Sequence, residues 1–410
     1  MDNKTYTPSA ATQQPAISRG YYFFLVAYLV GLSAFGSFVN DMYIPTLPEM
    51  TRWFHCSVSV VQLGLTTGMI GLGVGQLILG PVSDKYGRKP VLVTTLILFI
   101  AAAVASVFSP TIHVFLTLRF FQGLGASGGY FLARTIPADT LAGRPLAKMM
   151  ALIGAINGFA PAAAPVVGGA VADSLGWRGI FWILAGFSTL LLLIALPLKE
   201  SLPPSRRFPG RLLKSFGEYK ILLKNKKFIV HVLLKGAALG LLFSYISAAP
   251  FIIETHFGYT ALEFGGFMGF NALFVAAGAT IAVRFKVLKR AAYVGGLVLM
   301  LATAVETAVL LFIDDFWAFE IALLPMLFSM GMIFTVGNTL SMNEGRDHAG
   351  SASALLGLGG YIFGAVAAPL VGLGDIMHSS AIVFFAFAVL TLIFSYGTKR
   401  MPIDPNMVKK

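Results

Sequence analysis

The chain has 410 residues, of which 57% are hydrophobic and only 12% charged, with 35 Phe, 44 Gly and a mean hydropathy of +0.79. That usage lies far from that of a water-soluble domain, and the single cysteine, Cys56, excludes an intrachain disulfide. A formal charge of +12 would suit a nucleic-acid binder, but the Lys and Arg follow the loops between apolar runs instead of forming one basic face, so that class is set aside.

Residues 1–20 are Ser/Thr/Gln-rich and lack an apolar core, so they read as a cytoplasmic tail and not as a cleavable signal segment. Apolar runs follow at 21–46, 57–80, 91–108, 112–136, 146–172 and 177–198. Next comes a basic, Pro-punctuated linker over 199–227, whose "GRLLKSFGEYKILLKNKK" portion either lies as an amphipathic helix on an anionic leaflet or is simply solvated. A second set of apolar runs occupies 228–252, 261–284, 291–313, 316–341, 349–373 and 377–398, and 399–410 form a second tail. At roughly 20 apolar residues per crossing, twelve helices account for the hydrophobic content. The predicted fold class is an all-α membrane protein with twelve transmembrane helices in two six-helix halves, 21–198 and 228–398.

With both termini in the cytoplasm, Arg52 and Arg178 alone among the Lys and Arg fall outside, and Arg119 and Lys235 alone fall within spans, as the positive-inside rule requires. The halves also echo one another. "GAINGFAPAAAPVVGG" (154–169) in the fifth span matches "GLGGYIFGAVAAPLVG" (357–372) in the eleventh, each ending in Pro-x-x-Gly. Six plus six with internal symmetry is the pattern of a transporter whose site lies between repeats.

The polar loop "GPVSDKYGRKP" (80–90), between the second and third spans, resembles the signature loop of the major facilitator superfamily through Gly80, Asp84, Lys85, Gly87, Arg88 and Lys89. Read physically, Gly87 permits a tight turn, Asp84 can cap a helix N-terminus, and the cations face anionic lipid or helix C-termini. The resemblance implies a major facilitator fold in which this loop is a conformational latch between the halves. "LRFFQGLGAS" is similar to the family motif carrying an intramembrane arginine, here Arg119. The segment from Pro161 through Pro165 to Gly168 and Gly169 resembles the antiporter motif of drug exporters. "NDMYIPTLPEM", "ARTIPADT" and "WRGIFWILAG" resemble the bicyclomycin/chloramphenicol-resistance type of drug:proton antiporter, with thinner support in the second half from "HAGSASALLG" and "AAPFII". This chain departs from some relatives in having Ser33 and no acidic residue in the middle of span one.

An ionisable group in hydrocarbon is a functional candidate by default. Asp41 is expected about five residues inside the outer end of span one, and Arg119 about seven inside that of span four, so both lie roughly 7–11 Å deep and can share a layer. Asp41 is therefore the candidate proton site, with Arg119 as fixed charge or organiser of a buried network. Lys235 can snorkel to the inner surface, and Arg134 is expected as an inner-layer salt-bridge partner. Glu306 is expected protonated or packed against a polar neighbour, and His231 and His348 at the interface. Family likeness implies substrate contacts from Asn40, Ile153, Asn157 and Pro161, with Leu241 and Tyr245; Phe243, Asn271 and Asn338 are further cavity candidates. The Gly-rich segments "GMIGLGVGQLILG" and "GLGASGG" are expected to bring helices into close contact.

No metal cluster, nucleotide loop or enzyme motif stands out, so no cofactor is expected. The sequence reads as a monomeric, proton-coupled multidrug efflux antiporter of the bacterial inner membrane that meets lipid, protons and a small, mainly lipophilic drug. A proton-coupled metabolite or sugar transporter on the same fold is the alternative.

Overall fold

The structure, a computed structural model, describes residues 18–207 and 217–401. The rest of the expected tails and of the linker, residues 1–17, 208–216 and 402–410, lies outside the described residues. The first half comprises α1 (Arg19–Asp41), a short α2 (Leu47–Trp53), α3 (Val58–Tyr86), α4 (Arg88–Val107), α5 (Ile112–Thr140), α6 (143–175) and α7 (177–195). A linker helix, α8 (Gly217–Lys224), leads to α9 (Lys226–Pro250), α10 (Ala261–Ala282), α11 (Leu288–Phe312), α12 (Phe316–Glu344), α13 (Ala349–Leu370) and α14 (Ile376–Arg400). Apart from α2 and α8 these are the twelve expected spans. Below, the "basic end" is the end carrying residues 80–90.

Among the described residues, ten helical segments are long and apolar enough to cross a membrane. The other two spans are hidden for different reasons. Helix α5 falls outside the ten because Arg119, Arg134 and a run of glycines dilute its apolar character. Helices α6 and α7 run together over Gly143–Ala195 and are divided only by Gly176, at φ 61°, a conformation that suits a residue without a Cβ.

Helix ends differ from the apolar runs where backbone chemistry intervenes. Span one, expected to reach 46, stops at Asp41. The chain then makes a tight turn over Ile44–Thr46 with Pro45 inside it and restarts at α2 with Pro48 near its N-terminus, where a missing N–H costs nothing. Asp41 therefore closes α1 instead of lying five residues within it. Span two runs past its expected end at 80 to Tyr86 and ends only at Gly87, whose φ of 102° no other residue adopts easily.

Glycine sets how closely the helices pack, as expected for the Gly-rich segments. A Cβ on Gly71 of α3 would overlap the Phe120 carbonyl of α5, and one on Gly123 of α5 would overlap the Gly68 carbonyl of α3. The second half repeats the device between α10 and α12, where Gly278 meets the Phe328 carbonyl and Gly331 that of Val275. The echoed segments both reach the opposite half, though through glycines one position apart in the repeat. Gly169 of α6 abuts the Ala261 carbonyl across the halves, and Gly372, just after α13, abuts the Ser59 backbone at the start of α3.

The halves are closed against each other at the end opposite the basic end. Ser59 Oγ donates to the Pro369 carbonyl (2.8 Å), Gln62 Nε2 to Ser247 O (2.9 Å) and Thr66 Oγ1 to Ala365 O (2.7 Å). On the other flank, Gly265 and Gly269 of α10 pack on residues 162–166 of α6, whereas Gly154, nearer the basic end, has open space around it. We expect Gly123→Ala to lower stability by about 1–3 kcal/mol through overpacking. Gly154→Ala should be neutral or stabilising by about 0.4–1 kcal/mol. Thermal unfolding of the two purified variants in one detergent checks the contrast.

Candidate functional site

Arg119 is the most fully enclosed cation of the first half, only 1% exposed. Its Nη1 donates to Gln122 Oε1 (2.6 Å) and to the Val39 carbonyl (3.2 Å), and its Nε to Gly64 O (3.3 Å). The guanidinium also lies over the Tyr43 ring, 4.3 Å from the centroid. Gln122 passes the network on, donating to Ser106 Oγ at 2.7 Å. Glycine makes room for this: a Cβ on Gly68 would stand 3.0 Å from the guanidinium.

Asp41 is buried at the end of α1 and accepts a hydrogen bond from Asn40 Nδ2 at 2.8 Å. Arg119 is within electrostatic reach but makes no ion pair with it, so the two share a layer, as expected, without forming a salt bridge. The arginine is held by carbonyls, an amide and aromatic faces instead. That leaves the carboxylate with a neutral donor.

The expected substrate contacts separate into two groups. Asn157 of α6 accepts from Ser33 Oγ of α1 at 2.7 Å and is half-buried, and Pro161 is exposed. Asn40 is occupied by Asp41, and Ile153 is buried. In the second half, Leu241 is fully enclosed, Phe243 is buried against Gly364, and Tyr245 is buried with Asn271 Nδ2 donating to its hydroxyl at 2.9 Å. In this arrangement these three side chains are engaged in helix packing. Pro165 and Gly168 are buried in α6, with Gly168 against the Met42 carbonyl just past α1, so the antiporter segment clamps span one to the contact with α10.

Toward the basic end, the expected inner-layer salt bridge of Arg134 is replaced by an aromatic partner. Arg134 of α5 makes no salt bridge among the described residues. Its Nη2 donates to Tyr130 Oη (2.8 Å) and the guanidinium stacks on the same ring, 4.5 Å from the centroid. Lys235 of α9 is half-buried, and its Nζ donates to the exposed Asn338 of α12 at 2.7 Å. The two cations, one from each half, are within electrostatic reach of one another. Tyr361 of α13 joins them from the side, within reach of Tyr130, Arg134 and Asp41 and beside the Gln76 amide. His231, expected at the interface, is fully buried with both ring nitrogens unpartnered.

The 80–90 segment is built differently from the expectation. Gly80 and Asp84 lie inside α3, and Asp84 caps nothing; it pairs with Arg88 at 2.6 Å. Arg88 is buried, not lipid-facing, and also binds Asp139 at the end of α5 (2.9 Å) and Ser83 Oγ (2.6 Å). The cap on α4 comes from Glu200, just past α7, which accepts from the backbone N–H of Arg88 (2.9 Å) and Lys89 (3.2 Å). Lys89 does face a helix C-terminus, donating to Leu196 O at 2.7 Å. At the opposite end Glu49 plays the same part beside Gly176, accepting from Trp177 N at 2.9 Å at the start of α7. Among the described residues, the hydrogen bonds and ion pairs of 83–89 stay within the first half and its exit to the linker.

Sequence reasoning missed Glu200, Asp139, Glu49, Gln76, Tyr361 and Glu320. Glu320 was within reach, being the one carboxylate in the apolar run 316–341. The others act through partners far away in the chain and carry no local signal. Two outcomes test this geometry. Glu200→Ala should cost about 0.5–2 kcal/mol through loss of the α4 cap, read as a lower thermal midpoint. Arg119→Lys should cost about 1.5–3 kcal/mol, because a single ammonium cannot reach the three acceptors that the planar fork serves.

Comparison with known proteins agrees with this architecture. The family profile described as Major Facilitator Superfamily matches residues 29–369. The MFS-type transporter YdgK of Bacillus subtilis (strain 168) is 35% identical over 394 residues, covering 93% of this chain and 97% of that protein. A chloramphenicol resistance protein of Pseudomonas aeruginosa is 28% identical over 384 residues, covering 90% and 89% respectively. Among solved structures, a bacterial homolog of the human lysosomal transporter Spinster superposes with a TM-score of 0.77 at 14% identity, covering 94% of this chain and 98% of that one. At that identity the likeness speaks for the fold alone.

Proposed function

The chain belongs to the Major Facilitator Superfamily and is a secondary transporter, not an enzyme; from that premise we propose that it exports small lipophilic or amphiphilic compounds in exchange for protons. The observation that carries the reading is Asp41: a buried carboxylate at the closed end of the bundle, held by a neutral amide and left unpaired by the arginine beside it. A carboxylate balanced in this way can take up a proton when its surroundings open and release it when a substrate or a shift of the helices alters them. Likeness to a chloramphenicol resistance protein supports drugs as the cargo.

In this reading the basic end faces the cytoplasm, following the distribution of Lys and Arg. The space between the halves opens there, and a compound enters between Asn157 and Ser33 on one side and Arg134, Lys235 and Tyr361 on the other. Arg134, Lys235 and Asp41 together give that space an excess of one positive charge. Neutral compounds and those with an acidic group are therefore accommodated, and dications are rejected. The loop around Arg88 is disengaged from the second half in this arrangement, and latching follows when the basic end closes.

The test is gradient-driven efflux of chloramphenicol from vesicles, with a lipophilic dication as the contrasting compound. Wild type should move the first and not the second. Asp41→Asn should bind chloramphenicol undiminished yet transport it no faster than passive leak. Full gradient-driven transport by Asp41→Asn would remove Asp41 from the coupling step, and no transport of chloramphenicol by wild type would point to a metabolite as cargo.

A further inference from the structure

The second half contains a cluster that the reading above does not use. Glu306 of α11 is 0% exposed and Glu320 of α12 is 3% exposed, and they lie within electrostatic reach of one another on two helices packed side by side. Glu306 lies six residues from the end of α11 and Glu320 four from the start of α12, so the pair sits about 6–9 Å below the end opposite the basic end. Beside Glu320 is Asn271 of α10, itself 2% exposed, whose Nδ2 donates to Tyr245 Oη of α9.

The hydrogen-bond accounting is one-sided. Both oxygens of Glu306, both of Glu320 and Oδ1 of Asn271 are buried without a partner. All five are acceptors, whereas buried polar atoms in folded proteins are almost always satisfied. The cluster is rich in acceptors and poor in donors: Asn271 Nδ2 lies beside Glu320 but donates to Tyr245 Oη. Turning the Asn271 amide over would give Glu320 one N–H and Glu306 none, so the shortage does not depend on how that amide is assigned.

No protein cation makes up the deficit. Among the described residues neither glutamate has an ion pair, and Glu320 is the charged group that Glu306 feels. The neighbouring helices add no cation at this depth; α14 places there the buried hydroxyl of Ser380, which has no partner and can supply a single O–H. Helix α9 contributes Tyr245, with His231 and Lys235 a further ten residues or more toward the basic end. Helix α10 carries Glu263 in the capping box at its start. On α11, Lys289, Arg290 and Tyr293 lie at the basic end, and on α12 so does Glu344. Tyr361 of α13 points to the central group, and α14 keeps His378, Tyr396, Lys399 and Arg400 near its ends. Two unpartnered carboxylates cannot both remain charged side by side in such a compartment.

We propose that Glu306 and Glu320 form a proton-binding pair in the second half, holding at least one proton between them, with the Asn271 carbonyl as an acceptor for the carboxyl hydrogen. The contrast with the first half supports this. Counted from the helix starts, Glu306 of span nine corresponds to Ser106 of span three, which accepts from Gln122 in the Arg119 network. One half meets its buried polar layer with a fixed guanidinium, and the other leaves acceptors that a mobile proton fills. The pair is separate from Asp41, and its protonation is independent of which compound is carried.

The test is an infrared difference spectrum of the full chain reconstituted in lipid at neutral pH, wild type minus Glu306→Gln/Glu320→Gln. Loss of the carbonyl stretch of a protonated carboxylic acid, with its shift on deuteration, is the expected result. Loss of carboxylate stretches alone would overturn the proposal. Carboxylate stretches that move on replacing sodium with choline would overturn it in favour of a bound metal cation. Should the double variant fail to elute as a single species, Glu306→Gln alone gives the same discrimination, since its amide supplies donors to the stranded acceptors. Because the spectrum needs no substrate, it is unaffected by failure of the export reading, and efflux by Asp41→Asn is unaffected by failure of this one.

Discussion

The contact on which the rest of the structure depends is the backbone-to-backbone approach of α3 and α5, with its counterpart between α10 and α12. Lipid chains are as apolar as leucine, so helices in a bilayer gain little from hiding apolar surface and associate through close packing. Gly71, Gly123, Gly278 and Gly331 allow helices to touch at carbonyl oxygens, a distance that any side chain would prevent. The same approach creates the Arg119 pocket, because the guanidinium lies against Gly68 and donates to the Gly64 carbonyl. Spacing set by the absence of side chains thus decides where a charge can be placed.

The two halves answer the resulting problem of buried polarity in opposite ways. In the first, one arginine reaches carbonyls of α1 and α3 and an amide of its own helix, and Asp41 is left near it but unpaired. In the second, the corresponding layer holds two glutamates and an asparagine carbonyl whose acceptors outnumber the donors beside them. Pseudo-symmetry of the backbone therefore carries an asymmetry of charge between the two halves. In the proposed exchange of compound for protons, each change of charge alters the cost of desolvation and so the balance between conformations.

Hydrogen bonds from Ser59, Gln62 and Thr66 join the halves at one end, and the contact between α6 and α10 lapses toward the other. The basic-end segment is then held by its own half. Arg88 binds Asp84 and Asp139, and Glu200 caps α4 from beyond α7. A carboxylate brought from the end of the sixth span thus fixes the turn between the second and third, beside a glycine at φ 102°. Glu49 and Gly176 repeat this combination at the opposite end.

Sequence alone determined the twelve crossings, the two halves and the echoed Pro-x-x-Gly segments, because hydropathy and glycine spacing are local and the bilayer reads them span by span. It also singled out Asp41, Arg119 and the 80–90 segment, since a charge in an apolar run stands out without knowledge of its neighbours. The partners of those charges were decided only in three dimensions. Asp84 looked like a cap and is not one, because the capping carboxylate, Glu200, arrives from more than a hundred residues away. Tyr245 and Leu241, singled out as cavity residues, are buried against neighbouring helices, which the sequence of one helix does not reveal. Glu306 and Glu320 sit in separate apolar runs whose crossing brings them together. Tertiary structure decides such pairings because a hydrogen bond or a missing donor depends on distances of a few ångströms between helices, which the periodicity of any one helix does not contain.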